Sequence, residues 1–240
     1  MNALSTQALF GIPLVAASWA EVREHIQHVI GQGGKELWIT ANPEIVECAF
    51  EDPALFNILQ KKAVVFPDGI GLIIAAKLLH LPLTERLSGI DMIPLFKGQR
   101  VYLLGARPSV IKKAAENLKT MGVDVVGFFH GYFDATEEQH ILDDLKKCKP
   151  QVLLVGLGLG RQERWLAENF DQLPVNIAVT VGGSFDVISG AKKRAPLFIQ
   201  QIHLEWLYRL LQEPQRIWRQ RKLLRFMVRV LIQKLRITNS

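Results

Sequence analysis

Asp68 closes a short apolar run, Ala63-Val-Val-Phe66, and stands between Pro67 and Gly69. A carboxylate there could act as a general base on an alcohol nucleophile. An aspartate in this position is also a common helix N-cap, the simpler reading of the residue alone. A second apolar run, Gln151 to Val155, leads into Gly156-Leu-Gly158-Leu-Gly160-Arg161-Gln162-Glu163. A glycine turn between strand and helix can bring a helix N-terminus to a phosphate. It can equally serve only close strand–helix packing. The spacing is G-x-G-x-G rather than the dinucleotide G-x-G-x-x-G, and Val181, not an acid, follows the next strand. NAD binding is disfavoured, and no G-x-x-x-x-G-K-S/T stretch marks a Walker-type NTPase. The six histidines have no ligand spacing, and no Asp-x-Asp pair could hold a divalent metal against a diphosphate. A diphosphate leaving group would then need side-chain cations. Arginine suits that task through bidentate, charge-assisted bonds, and Arg209, Arg216 and Arg219 supply it near the C-terminus. Surface solvation or contact with anionic lipid would explain the same arginines.

The elements that must position these residues alternate along the chain. Strands are expected at 36–40, 63–66, 101–104, 123–129, 151–155 and 176–180, each continuously apolar and each followed by a turn and a helical pattern. Such alternation implies a parallel sheet covered on both faces. Asn42 is placed to cap a helix beginning at Pro43. Ser88 with Asp91, and Thr136 with Gln139, have capping-box spacing. In open parallel sheets ligands bind at the carboxyl ends of strands. Thr40, Asn42, Asp68, Gly105, Tyr132, Gln162 and Asp186 all directly follow expected strands. The expected class is α/β, with two Rossmann-like subdomains (1–98 and 99–196, divided softly near Lys97–Gln99) and a helical appendage at 197–240.

Charge is distributed unevenly. The chain carries +6 at pH 7 over 240 residues, but from Leu197 onward 9 positive residues face 2 negative ones. The body is therefore near neutral and the tail strongly basic, which points to an anionic partner for the tail. Two tail helices are expected, at 197–212 and 214–236, hinged at Glu213-Pro214. At helical spacing Leu223, Leu224, Met227, Val230, Leu231 and Leu235 share one side, and Arg221, Lys222, Arg225 and Arg229 the other. This is either a membrane-interface helix or a helix docked on the core with a solvated basic face. No apolar run approaches the ~18 residues of a membrane span. Arg23 is the first basic residue, which disfavours a secretory signal. The two cysteines, Cys48 and Cys148, match no metal spacing. A reduced cytoplasmic protein, peripheral on the membrane, is expected.

In order along the chain stand Asn42-Pro-Glu44, Pro67-Asp68-Gly69, Arg86 with Gly89-Ile-Asp91, Leu103-Leu-Gly105, Gly131-Tyr-Phe133, Gly156-x-Gly158-x-x-x-Gln162-Glu163, Val181-Gly-Gly183-x-Phe185-Asp186, Lys193-Arg-Ala-Pro196 and Leu204-Glu-Trp-Leu-Tyr-Arg-Leu210 with Pro214 and Arg216. This ordered set resembles the WecG/TagA/CpsF family of bacterial glycosyltransferases over nearly the whole chain. The resemblance implies an inverting, metal-independent transferase with no cofactor. Its donor would be a UDP-sugar, typically UDP-N-acetylmannosamine, and its acceptor a polyprenyl-diphosphate-linked sugar, typically N-acetylglucosamine. The products would feed teichoic acid, common antigen or exopolysaccharide synthesis. It implies that Asp68 is the general base and that Thr40, Asn42, Arg86 and Gln162 line the pocket. Arg209, Arg216 and Arg219 would close over the diphosphate, and the tail would dock on an anionic membrane. Tyr132, Gly156, Gly158 and Asp186 complete the expected substrate-binding set. One departure stands out: Gly160-Arg161 replaces the usual Pro-Lys.

Two rival classes make distinct demands. A non-catalytic membrane module explains the tail but not the polar residues at strand ends. A nucleic-acid binder would use the basic helix, but the near-neutral body lacks a stacking-aromatic platform. N-acetylmannosamine, its uronic acid and glucose all remain compatible as the donor sugar. Tail arginines could serve a neighbouring subunit as well as their own, which leaves a homo-oligomer open.

Overall fold

The computed structural model describes residues 3–83, 85–202, 204–212 and 217–238. Two short strands, β1 (Thr6–Leu9) and β2 (Ile12–Val15), form a hairpin. Its turn residues, Phe10 and Gly11, hold φ of 54° and 79°, as a two-residue hairpin turn requires. Helix α1 (Trp19–Gly31) opens on a capping box between Ser18 and Glu21. The alternation expected from the sequence begins after these elements. It runs β3 (Glu36–Ala41), α2 (Pro43–Glu51), α3 (Pro53–Asn57), β4 (Val64–Pro67), α4 (Ile70–Leu78), α5 (Gly89–Met92), β5 (Arg100–Gly105) and α6 (Pro108–Thr120). It continues through β6 (Asp124–Phe129), α7 (Ala135–Cys148), β7 (Val152–Gly156), α8 (Arg161–Asn169), β8 (Ile177–Thr180) and α9 (Ser184–Ile188). Three helices end the described chain: α10 (Leu197–Gln201), α11 (Glu205–Gln212) and α12 (Ile217–Thr238).

All eight strands form one sheet, in the order β1-β2-β4-β3-β8-β7-β5-β6. Every pairing except the β1–β2 hairpin is parallel. The α/β class and its mostly parallel sheet are as expected. The two halves of the chain share this sheet, joined where β3 lies beside β8. Helices cover both faces, which is why the strand interiors are apolar throughout. One core layer gathers Leu37, Ile39, Leu104, Val155 and Ala178 with α2 and α4. The other gathers Trp38, Phe66, Leu103, Leu154 and Val179 with α1 and α6.

Local caps decide several boundaries. Asn42 accepts from the Ile45 N–H at 3.1 Å and starts α2, as expected. The α7 cap differs from expectation: the reciprocal pair is Asp134 with Glu137, not Thr136 with Gln139. Aspartate accepts the N3 amide more readily here because the chain is already extended at Asp134, with φ −94° and ψ −176°. Ser88 precedes α5 but makes no backbone cap; its hydroxyl donates to the Asp91 carboxylate instead.

The tail differs most from expectation. The segment expected as one helix over 197–212 is two, α10 and α11, and the expected hinge at Glu213-Pro214 lies outside the described residues. Helix α12 is docked along a strip that takes Lys222 and Arg229 from the expected basic side and Val230 from the expected apolar side, while Arg225 stays 64% exposed. Arg229 pairs with Glu47 at 3.0 Å and lies 3.8 Å from the Phe50 ring centroid. Arg225 and Lys222 reach Glu51 at 2.7 and 3.3 Å, and the Lys222 Nζ is 2.9 Å from the Cys48 sulfur. Glu47 is 2% exposed, so the arginine is its partner in a partly buried ion pair. Phe226 and Val230 enter the core beside these pairs. Leu224, Val228, Leu231 and Leu235 are left on the outside, with Leu224 and Leu235 68% and 64% exposed. Neither face expected from periodicity is covered as a whole: each gives residues to the buried strip. The acids at Glu47 and Glu51, one turn apart on α2, draw the cations of that strip inward. Among the described residues no helix is long and apolar enough to cross a membrane.

Candidate active site

The residues following β3, β4, β8, β7 and β5 lie at one edge of the sheet. Register aligns Ala41 with Pro67, Val155 with Thr180, and Gly105 with Gly156, so these strand ends finish at one level. Two centres stand along that edge.

The first lies at the ends of β3 and β4. The Asp68 N–H donates to the Ala41 carbonyl at 2.7 Å, which ties the two strand ends together. Gly69, not Asp68, is the N-cap residue of α4, and no side chain caps that helix. Pro43 and Asn42 press on Gly69: a β-carbon there would lie 2.8 Å from Pro43 Cδ and 3.0 Å from Asn42 Cβ. Thr40 has a seam role: its hydroxyl donates to the Thr180 carbonyl at 2.8 Å, and its N–H to the Thr180 hydroxyl at 3.0 Å.

Arg86 brings charge to this centre. It pairs with Glu205 of α11 and lies 3.6 Å from Asp91. Burial opposes the guanidinium charge, but Glu205, Asp68 and Asp91 outweigh it and hold Arg86 above its ordinary pKa. Arg194 donates to both oxygens of Asp91 at 2.7 and 2.9 Å. Its Nε lies 3.5 Å from Glu205 and makes no hydrogen bond. Two arginines and two acids, from three separate stretches of chain, thus share one cluster next to Asp68. Arg86 was identified from sequence; the roles of Arg194, Asp91 and Glu205 were not. The 119 residues between Arg86 and Glu205 explain why local spacing could not reveal the pair.

The second centre is made of backbone. A β-carbon on Gly105 would overlap the Gly156 carbonyl, and one on Gly156 would come within 2.7 Å of the Gly182 carbonyl and 2.8 Å of Phe185. Gly131 is less confined: a β-carbon there would lie 3.1 Å from the Ala106 nitrogen. Gly158 and Gly160 turn the chain into α8 with φ of 90° and 84°. Proline cannot take that φ. Gly160 therefore does more than loosen the loop: it permits a turn that the usual Pro-Lys pattern could not make. Arg161 donates to the Gly131 carbonyl at 2.6 Å and lies 4.7 Å from the Phe133 ring centroid. It links two turns rather than reaching outward.

Gln162 is 4% exposed, and its Nε2 donates to Glu163 at 2.7 Å. Its Oε1 has no hydrogen-bond partner. Glu163 also accepts from the Gly160 N–H at 2.7 Å, and burial pushes its carboxyl above 4.5.

The remaining expected residues are scattered more widely. Asp186 sits at the start of α9 and pairs with Lys192 at 3.1 Å. Tyr132 is 66% exposed beside the second centre. Arg216 lies outside the described residues. Arg209 and Arg219 fall on α11 and α12, but their side chains also lie outside the described set. A cleft of about 820 Å³ lies between α2, α7, α8 and α12 and reaches the second centre at Gly160 and Arg161. Its polar lining is largely paired within itself, as in Asp52–Arg164 and Glu138–Trp165. Among the described residues no group of three or more His, Cys, Asp or Glu is arranged to hold a metal ion.

Residues 7–240 match the family described as Glycosyl transferase WecG/TagA/CpsF family. One relative is the N-acetylglucosaminyldiphosphoundecaprenol N-acetyl-beta-D-mannosaminyltransferase of Bacillus spizizenii. It is 36% identical over 189 residues, covering 75% of this chain and 72% of the relative. A protein of the same name from Staphylococcus aureus is 33% identical over 209 residues, covering 84% of this chain and 82% of its own. With an aspartate and arginines at one end of the sheet edge, a glycine bed at the other, and these likenesses along nearly its whole length, the chain belongs to the WecG/TagA/CpsF family and is a glycosyltransferase.

Proposed function

We propose that this glycosyltransferase moves N-acetylmannosamine from UDP-N-acetylmannosamine onto N-acetylglucosaminyl-diphosphoundecaprenol, with inversion and without a metal. The observation that carries the reading is the placement of Asp68 and Arg86 on the same sheet edge as the glycine bed. The ends of β4 and β7 are three strand spacings apart, ~14 Å. That separation suits a nucleoside diphosphate over the glycines and its sugar near Asp68. The names of the relatives support the choice of donor and acceptor. In this reading 1–98 carries the base, 99–196 the nucleotide-sugar bed, and 197–240 the appendage that meets the inner face of the membrane.

The chemistry follows from the groups. Asp68 takes the proton of the acceptor hydroxyl. The hydroxyl oxygen attacks the anomeric carbon from the face opposite UDP. The carbon–oxygen bond to UDP breaks, and UDP leaves with the electron pair. Cationic side chains stabilise the growing charge on the diphosphate. The outward ridge of Leu224, Val228, Leu231 and Leu235 is suited to the apolar edge of a membrane.

The test is UDP release from a panel of UDP-sugars in EDTA, with the lipid-linked N-acetylglucosamine acceptor and both wild type and Asp68→Asn. The expected result is acceptor-dependent release with UDP-N-acetylmannosamine, largely lost in the variant. Release only with UDP-glucose or the uronic acid would change the donor. No release with any donor would defeat the reading.

A further inference from the structure

We propose that Glu205 is a positioning residue for transfer: it holds Arg86 in place beside Asp68 and makes the seating of α11 a condition of turnover. The inference rests on the reading of Asp68 as the base. Glu205 belongs to the tail, yet it is only 8% exposed. Its two oxygens are divided between two arginines, Arg86 on one and Arg194 on the other. Arg194 in turn holds Asp91, and Asp91 lies 3.6 Å from Arg86, so the four charges close on one another. Arg86 itself sits in the connection between α4 and α5, anchored nearby by the Leu87 N–H on the Pro67 carbonyl at 2.8 Å. The backbone thus brings Arg86 near the end of β4, and the carboxylates determine where its guanidinium points.

The neighbours of Arg86 show what losing Glu205 would do. The guanidinium would be left with Asp91 and Asp68. Moving toward Asp68 would tie the proton acceptor into an ion pair and shift both groups from their working positions. Arg194 would lose its contact with Glu205 at 3.5 Å, and α11 would lose its buried anchor. The effect belongs at the reacting end of the site, so it falls on kcat. The bed for the nucleotide, at the far end of the edge, is built from glycines that Glu205 does not touch.

The test uses the full chain with Glu205→Gln, Glu205→Asp and, as a comparison, Glu51→Gln, which loosens the neighbouring seat of α12. Steady-state UDP release gives kcat and donor KM, and trypsin cleavage in 205–222 without substrate reports how firmly the tail is seated. Glu205→Gln is expected to lower kcat on the order of tenfold to hundredfold, as small misplacements of reacting groups do. Donor KM should stay within about threefold, tail cleavage should quicken, and Glu205→Asp should restore part of kcat. Three results would overturn the proposal: wild-type kcat in Glu205→Gln, a loss confined to donor KM, or an equal loss of kcat in Glu51→Gln. If the wild type turns over no donor, the functional reading fails instead. Trypsin then decides separately whether Glu205 seats α11, and unchanged cleavage in Glu205→Gln overturns that half too.

Discussion

At the β5–β7 end of the sheet edge the chain offers backbone: Gly105 and Gly156, each too confined for a β-carbon, and Gly131, where one would fit only tightly. At the β3–β4 end it offers charge: Asp68, Arg86, Asp91 and Arg194, joined by Glu205 from the tail. The glycine centre is complete within the body and is fixed by strand register. The charged centre depends on a residue from α11. In the proposed reading, binding by shape and chemistry by charge are given to separate parts of one edge. Only the charged part is linked to the segment expected to meet a membrane.

Substitutions at each end can break this contrast. The largest effect is expected from Asp68→Asn, with kcat falling ~10²–10⁴-fold and an unchanged circular dichroism spectrum. Equal loss of folded structure would place Asp68 among the supports rather than the chemistry. Gly156→Ala should act in the opposite way. Its β-carbon must displace the Gly182 carbonyl or the Phe185 ring, lowering stability by ~1–3 kcal/mol in urea titration. An unperturbed midpoint would show that the bed is not tightly built.

Smaller changes sharpen the contrast. Arg229→Ala leaves the buried Glu47 carboxylate without its ion pair and should cost ~1–3 kcal/mol, read as a lower melting temperature and faster tail proteolysis. The smallest effect concerns Glu163. Burial holds its folded pKa above 4.5, so the folded state binds this proton more tightly than the unfolded one. That contribution is present at low pH and is lost as pH rises from 4.5 through the folded value. Wild type should therefore gain on Glu163→Gln as pH is lowered toward 4.5, by about 2–4 °C in melting temperature. A pH-independent difference would mean that Glu163 is not held this way.

Much of the framework was legible because each buried parallel strand is a continuous apolar run, as at Val101-Tyr-Leu-Leu104 and Gln151 to Val155. The β1–β2 hairpin was not, since its strands are four residues each and Phe10-Gly11 is a weak turn signal. Helix α1 had a usable signal in Ser18 and Glu21, but that capping box was not picked out. The site was legible where a residue follows a strand, as for Asp68 and Gly156. It was illegible where distant segments meet, as for Glu205 with Arg86. The orientation of α12 shows the same limit: a helix pattern defines two faces, but only the partner's charges reveal which strip across them is covered.

Cys48 gives the tail a clock. Its sulfur lies against the Lys222 ammonium, so α12 shields it whenever that helix is seated on α2. The rate at which a thiol reagent labels Cys48 then measures how often the helix lifts away. Because Cys148 sits farther along the same sheet face, beside Tyr102 and Asp144 and away from α12, the second thiol provides an internal standard in the same molecule. Membrane contact, substrate and substitution can each be scored as a change in one labelling rate against the other.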